Sequence, residues 1–398
     1  MKRFALLAVA AAVTACADPS SPTAAQPDGP NLALAPAGAE SEPIPGQYLV
    51  VFDDGVADAP GLARRLTAAQ GGTLRFTYEH AVKGFAAKLS EQAAEALARN
   101  PNVAYVEQDQ VVRASTTQSN ATWGLDRIDA RSGLSGTFTY TATGLGVTSY
   151  IIDTGIDTKH AEFAGRISPA TFDAFTDGND DCNGHGTHVA GTVGGTTYGV
   201  AKGVTLVRVR VLDCAGSGSW SGVVAGVDWV VSHHAAGTPA SSNMSLGGGA
   251  STTVDDAVKR MIADGVASAV AAGNGNQAGI AQDACKYSPA RVPEAMTIGA
   301  TAKTDAKTSW SNYGNCVDFF APGAGITSAW IGAGTTETNT ISGTSMATPH
   351  VAGVAALYLQ SFPAATPQQV RDALYAATTK SVVTSSKTAN NHLLFTAY

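Results

Sequence analysis

The chain has 398 residues, 44% of them hydrophobic, 43 glycines and a net charge of −7. That length suits one large domain with a small companion. Mild acidity with no Lys/Arg run excludes a nucleic-acid partner, whose phosphates call for a basic face.

Residues 1–16 read as a secretion signal. Lys2 and Arg3 give the charged end and Phe4 to Val13 a short apolar stretch, too brief to span a bilayer. Val13-Thr14-Ala15-Cys16 resembles a bacterial lipobox, which predicts lipidation of Cys16 and a lipid-anchored precursor; the alternative is an ordinary small-residue cleavage site. Residues 17–44, rich in Pro, Ala, Ser and Gly without hydrophobic period, read as a flexible linker.

Residues 45–115 change character. Gln47–Phe52 is strand-like and Pro60–Gln70 helical. Phe76–His80 and Gly84–Leu89 read as two more strands. A second helix opens at Ser90, a plausible N-cap, with Ala93, Ala94, Leu97 and Ala98 on its buried side, and Val103–Glu107 is the last strand. This β-α-β-β-α-β order predicts a small α+β ferredoxin-like domain.

From Thr116 to the end, strands and helices alternate. Strands are expected at Gly146–Ile152, Val204–Val211, Ser241–Leu246, Ala267–Ala272 and Met296–Ala300. Helices are expected at His185–Gly194, Trp220–His233, Ser251–Asp264, Ser345–Phe362 and Thr366–Ala377. Such alternation predicts a three-layer α/β fold with a mostly parallel central sheet, and a site at the carboxyl ends of its strands.

Three segments place acyl-transfer residues at such positions. Tyr150-Ile151-Ile152-Asp153-Thr154-Gly155 ends a strand in a carboxylate. Asn183-Gly184-His185-Gly186-Thr187-His188 opens a helix with an imidazole. Gly343-Thr344-Ser345-Met346-Ala347-Thr348-Pro349-His350 opens another with a hydroxyl. A serine hydroxyl attacks at neutral pH only when a base takes its proton and a carboxylate holds that base in the right tautomer. The order Asp…His…Ser differs from Ser…Asp…His and from His…Asp…Ser. An Asp after a strand is often a turn former, and Asp157 competes with Asp153 but ranks below it, since Thr154 and Gly155 follow Asp153. His185-x-x-His188 lacks the glutamate of a zinc protease motif, and Gly144-Leu145-Gly146 lacks the third glycine of a dinucleotide loop, Ser149 standing there. Four cysteines in an exported chain, Cys182, Cys214, Cys285 and Cys316, support two disulfides with three possible pairings, of which the sequence-local one joins Cys182 to Cys214 and Cys285 to Cys316.

These segments closely resemble the signature motifs of the subtilisin-like serine proteases, proteinase-K-like branch, over residues 116–398, while residues 45–115 resemble that family's inhibitory propeptide. The resemblance implies a subtilisin-like fold and a secreted, mature-monomeric serine endopeptidase. It makes Asp153, His185 and Ser345 the triad, His188 a structural histidine, and Asn274 in Ala271-Ala272-Gly273-Asn274-Gly275 the oxyanion donor. It implies that Gly216-Ser217-Gly218 and Ser245-Leu246-Gly247 clamp an extended polypeptide substrate, that Ala271, Ala272 and Gly273 wall a roomy pocket favouring aromatic or large aliphatic residues before the cut, and that Trp220 borders a second pocket. The sequence-local disulfides match bacterial members of that branch. The propeptide is implied to be an intramolecular inhibitor whose end, Gln108 to Ser115, lies in the active site like a substrate. Self-cleavage is expected between Val111 and Gln118. No cofactor is implied for the chemistry. Structural calcium is, with candidate ligands Asp126, Asp129, Asp173 and Asp181 among acids that include Asp177 and Asp180. Ala302 stands where proteinase K has an aspartate ligand, which puts that site in doubt. Rival readings are an esterase, against which stands the absence of G-x-S-x-G, and a catalytically dead binding protein, against which stands the full residue set.

Overall fold

The computed structural model describes residues 32–33, 43–110, 115–175 and 177–398. The signal, Cys16, most of the linker and residues 111–114 lie outside the described residues. The chain divides into two compact units, Met1–Val112 and Arg113–Tyr398.

The first unit is a sheet backed by two helices. Its elements are β1 (Leu32–Ala33), β2 (Pro43–Phe52), α1 (Ala59–Ala69), β3 (Thr73–Tyr78), β4 (Gly84–Lys88), α2 (Glu91–Ala98) and β5 (Val103–Gln110). The strand order is β1-β5-β2-β4-β3, antiparallel except where β1 pairs β5. Asp58 caps α1 by accepting the Gly61 N–H at 2.8 Å, and Pro60 lies in the first turn, where its missing N–H costs nothing. Ser90 caps α2 at the Ala93 N–H, and Ala93, Ala94, Leu97 and Ala98 are buried, as their spacing predicts. β3 begins earlier than expected, at Thr73, because a bulge between Leu74 and Phe76 interrupts its alternation and leaves Phe76 exposed.

The second unit is built on seven parallel strands. They are β6 (Thr148–Asp153), β7 (Ile167–Asp173), β8 (Thr205–Arg210), β9 (Ala240–Met244), β10 (Val266–Ala271), β11 (Met296–Thr301) and β12 (Phe319–Pro322), in the order β12-β11-β10-β9-β6-β8-β7. The helices are α3 (Trp123–Ile128), α4 (His185–Gly194), α5 (Trp220–His233), α6 (Thr252–Ala263), α7 (Thr344–Ser361) and α8 (Pro367–Ala377). Side chains two apart point to the same face, so one strand feeds two cores. Ile151 packs with Val189, Val193, Val351 and Ala355 of α4 and α7, while its neighbours Tyr150 and Ile152 pack with Val223, Val227, Val254 and Val258 of α5 and α6. Helix, sheet and helix thus form three layers, the α/β arrangement that the alternation of strands and helices predicts. No helix among the described residues is long and apolar enough to cross a membrane.

The edge strands β7 and β12 are not anticipated by the sequence. β7 carries Pro169, and its pairing slips between Leu206 and Arg208; β12 is four residues ending in Pro322. Proline is confined to edges and bulges because it cannot donate to a ladder. From β6 the chain places β7 at one edge and returns with β8 between the two, then builds outward through β9 to β12 on the other side. The direction reverses between β6 and β9, and there the carboxyl ends of the strands leave a crevice.

Candidate active site

Asp153 is the last residue of β6 and is fully buried. Its Oδ1 accepts the Thr154 N–H at 2.7 Å and pairs with His185 Nδ1 at 2.7 Å; Oδ2 is buried with no donor. A buried carboxylate with one bare oxygen favours a positive charge beside it. His185, first residue of α4, keeps a quarter of its side chain exposed. Burial alone pulls its pKa down, but the charge and hydrogen bond of Asp153, helped by the charge of Asp181, outweigh it and the net shift is upward. Helix α4 packs so close to the Asp153 turn that a Cβ on Gly186 would stand 2.1 Å from the Gly155 carbonyl; the Gly186 N–H instead reaches Thr154 Oγ1 at 2.8 Å.

Asp181 anchors the start of that helix. Gly184, at φ +99°, has no side chain with which to cap it. Asp181 Oδ1 accepts from the Asn183 and Gly184 amides at 3.0 Å and from Thr154 Oγ1, while Oδ2 accepts from the Thr187 N–H at 2.9 Å and its hydroxyl at 2.6 Å. His188 turns inward. One nitrogen pairs with the Ile326 carbonyl at 3.0 Å, and burial takes its pKa down to about 4.

Ser345 sits in the first turn of α7, a helix apolar all round and almost wholly buried. Its hydroxyl donates to the Ser245 carbonyl at 3.2 Å, and the Ser245 hydroxyl donates to the Ser345 carbonyl at 2.8 Å. Pro349 explains the second bond. In a regular helix the Ser345 carbonyl would accept the N–H four residues on, and proline has none. In this rotamer Ser345 faces Ser245 rather than His185; no Ser345–His185 hydrogen bond occurs among the described residues. The Ser345 N–H, in the open first turn, has no acceptor within the described residues.

Asn274 follows β10 and is exposed. Its Oδ1 accepts both the Thr344 N–H at 2.8 Å and the Thr344 hydroxyl at 2.9 Å. With the oxygen end tied to the residue before Ser345, the NH₂ end is free to donate.

Two adjoining cavities share the wall Ser245–Gly248. One, of about 600 Å³, is lined by His185, Gly216–Gly218, Trp220 and that wall. The other, of about 260 Å³, is lined by Ala271–Gly273, Asn274, Tyr287 and Ser345. Disulfides join Cys182 to Cys214 and Cys285 to Cys316. The first ties the His185 loop to the irregular segment that carries Gly216–Gly218, which the structure shows as loop rather than strand, and Asn183 Nδ2 adds a bond to the Cys214 carbonyl at 3.1 Å.

The acids separate into two groups. Asp173 and Asp177 turn toward Arg210, which is fully buried, and its hydrogen bonds hold Asp177 well below the usual carboxylate range. Asp180 pairs with Arg208. Among the described residues, the one cluster with metal-ligand spacing is Asp177, Cys182 and Cys214, whose cysteines are consumed in a disulfide. Asp126 accepts from the Ser135 and Gly136 amides at 2.8 Å. Asp129 differs. Its Oδ2 accepts from the Thr139 N–H, Oδ1 is buried without a donor, and burial with Asp126 nearby pushes its pKa up to about 6. Asp157 serves its own turn, accepting from the Lys159 N–H.

Sequence reasoning did not name the hydroxyl of Ser245, nor Asn183 or Asn312, as site residues. Asn183 sits inside the His185 motif, which was a usable signal; the others depend on tertiary neighbours.

Residues 144–395 match the subtilase family and residues 47–115 the peptidase inhibitor I9 family. The chain is 52% identical to an extracellular serine proteinase of Thermus sp. (strain Rt41A), over 97% of both chains. It is 44% identical to a cuticle-degrading protease of Metarhizium anisopliae, over 89% of this chain and 94% of that one. Among solved structures, a cold adapted subtilisin-like serine proteinase aligns with a TM-score of 0.66 and 51% identity, covering 70% of this chain and all of the other.

Proposed function

The chain belongs to the subtilase family and is a serine-type endopeptidase carrying an I9 inhibitor segment, and from that premise we propose that it is an exported, self-processed protease working through Ser345, His185, Asp153 and Asn274. The supporting observation is the 2.7 Å Asp153–His185 pair, whose imidazole lines a cavity that shares its Ser245 wall with the cavity of Ser345. The Ser345 hydroxyl turns from Ser245 to His185 Nε2 and loses its proton there as Oγ attacks the peptide carbonyl. Asp153 keeps the imidazole proton on Nδ1 and stabilises the imidazolium. The oxyanion accepts from the Ser345 N–H and Asn274 Nδ2, charge-aimed donors that need no reorganisation. His185 then protonates the departing amine, and water attacks the acyl-enzyme by the same route.

The substrate lies extended between Gly216–Gly218 and Ser245–Gly247, where small residues admit a second backbone. Its side chain before the cut enters the cavity walled by Ala271, Ala272 and Gly273, which has room for an aromatic or large aliphatic group. The mature enzyme acts as a monomer outside the cell, and Cys16 lipidation holds the precursor at the membrane. The precursor cuts itself between Val111 and Gln118.

No cofactor takes part in the chemistry. A structural calcium ion fits one of the two acidic groups. Asp129, with a buried bare oxygen, would hold the ion, which would neutralise a desolvated charge. Asp126, Asp173 and Asp181 do not fit, because loop donors or an arginine already occupy their oxygens.

Ser345→Ala tests the reading. It is expected to abolish cleavage of a chromogenic peptide and to leave the full-length precursor unprocessed. A processed form of this variant, made with no other protease present, refutes self-cleavage. Equal rates on peptides with phenylalanine and glutamate before the cut refute the specificity.

A further inference from the structure

We propose that Asn312 is the positioning residue that aims the Asn274 carboxamide, an inference that rests on reading Asn274 as the oxyanion donor. Asn274 is an exposed loop residue, held through its side-chain oxygen alone. A donor aimed at a developing charge needs its backbone fixed as well. The turn that carries it has no ladder of its own: Gly273 and Gly275, on either side, are left-handed at φ +99° and +83°.

Asn312 supplies what the turn lacks. Its Nδ2 donates to the Ala272 carbonyl at 2.8 Å, its backbone N–H donates to the Gly273 carbonyl at 2.9 Å, and its Oδ1 accepts the Gly275 N–H at 3.0 Å. These bonds grip the backbone on both sides of Asn274. Oδ1 also accepts the Gln282 N–H at 2.8 Å, which fastens the far end of the loop. A carboxamide, with its donor and acceptor on separate atoms, can donate to one peptide while it accepts from two others. The fit is close, since a Cβ on Gly273 would stand 2.5 Å from Asn312 Nδ2. Asn312 is itself anchored. It is 1% exposed, its carbonyl accepts from Ser311 Oγ, and that same oxygen accepts the Ala300 N–H of β11. The second disulfide, Cys285–Cys316, joins the two segments that carry these bonds just beyond Gln282 and Asn312. Asn312 reaches the reaction through Asn274.

The test is a double-mutant cycle on the mature enzyme. Asn312→Ala, Asn274→Ala and the pair are assayed on a chromogenic peptide, with active sites counted by a serine-directed inactivator so that misfolded protein does not enter kcat. Asn312→Ala is expected to lower kcat by about 10- to 100-fold, the order that slight misplacement of a catalytic group costs, with KM within about twofold. In the Asn274→Ala background the same change is expected to cost less than about threefold. An equal loss in both backgrounds makes Asn312 merely structural and overturns the proposal, as does an unchanged kcat in Asn312→Ala. Asn274→Ala with wild-type kcat instead overturns the reading of Asn274 itself. Should Asn312→Ala not fold, Asn312→Asp carries the same comparison, because it keeps the Oδ1 bonds and loses the donation to Ala272.

Discussion

Replacing Ser245 by alanine removes the donor to the Ser345 carbonyl, which Pro349 has already deprived of its helical partner. That carbonyl is inside the protein, and an unsatisfied buried acceptor costs about 1–3 kcal/mol. Asn243 Nδ2 also loses its 3.0 Å bond to the same hydroxyl. A loss of about 2 kcal/mol lowers the melting temperature of a unit this size by about 3 °C. The compensating change is Pro349→Ala, which restores an N–H in reach of the orphaned oxygen. In the wild type it brings no gain, because the carbonyl is occupied and a proline constraint on the unfolded chain is given up. In Ser245→Ala it is expected to return about 0.5–1 kcal/mol, a coupling typical of groups sharing one partner. Calorimetry on covalently inactivated enzyme, which removes autolysis, measures all four variants. Equal shifts from Pro349→Ala in both backgrounds would refute the argument that proline and serine converge on one carbonyl.

Other outcomes follow from the same geometry. Asn274→Ala is expected to lower kcat by roughly 10²–10³, the size established for such a donor in subtilisin itself, with little change in KM; a kcat within threefold of wild type contradicts its role. The acid limb of kcat/KM is expected above the ordinary histidine value of about 6.5, because only neutral His185 is a base and Asp153 raises its pKa; in Asp153→Asn, burial is opposed only by the charge of Asp181 and the residual activity's limb moves to lower pH. His188 and His350 are buried and neutral, each taken by burial down to about 4. A histidine pKa depressed on folding contributes stability that is full above about pH 6.5 and gone once the pH falls through about 4, so the urea midpoint of inactivated enzyme is expected to fall across that window; a flat midpoint refutes it. Asp129→Asn is expected to abolish the difference in melting temperature between calcium and chelator, and in chelator at pH 8 to melt no lower than wild type; an unchanged calcium response removes Asp129 as the ligand.

The parts of the site legible in the sequence are those whose chemistry and placement coincide in one short segment. Asp153 ends a buried strand that closes on Tyr150-Ile151-Ile152, and His185 opens a helix among glycines. What escaped depends on neighbours far along the chain. Asp173 and Asp181 look alike as loop carboxylates, and only the fold reveals that Arg210, alternating with buried Val209 and Val211, faces the first while the backbone of the His185 loop surrounds the second. The hydroxyl of Ser245 gains its partner through a proline more than a hundred positions away. Asn312 lies in a loop with no periodicity at all. The edge strands escaped for a local reason, since Pro169 and Pro322 argue against strand wherever the edge position is unknown.

Helix α7 is buried on every side and comes late in the chain, after all seven strands of the central sheet. A nascent or truncated polypeptide ending before Thr344 therefore lacks the proposed nucleophile, and leaves one sheet face without α7. On the proposed triad, the nucleophile and the cover of that sheet face are thus translated together, so a chain cut short of α7 is expected to lack peptidase activity.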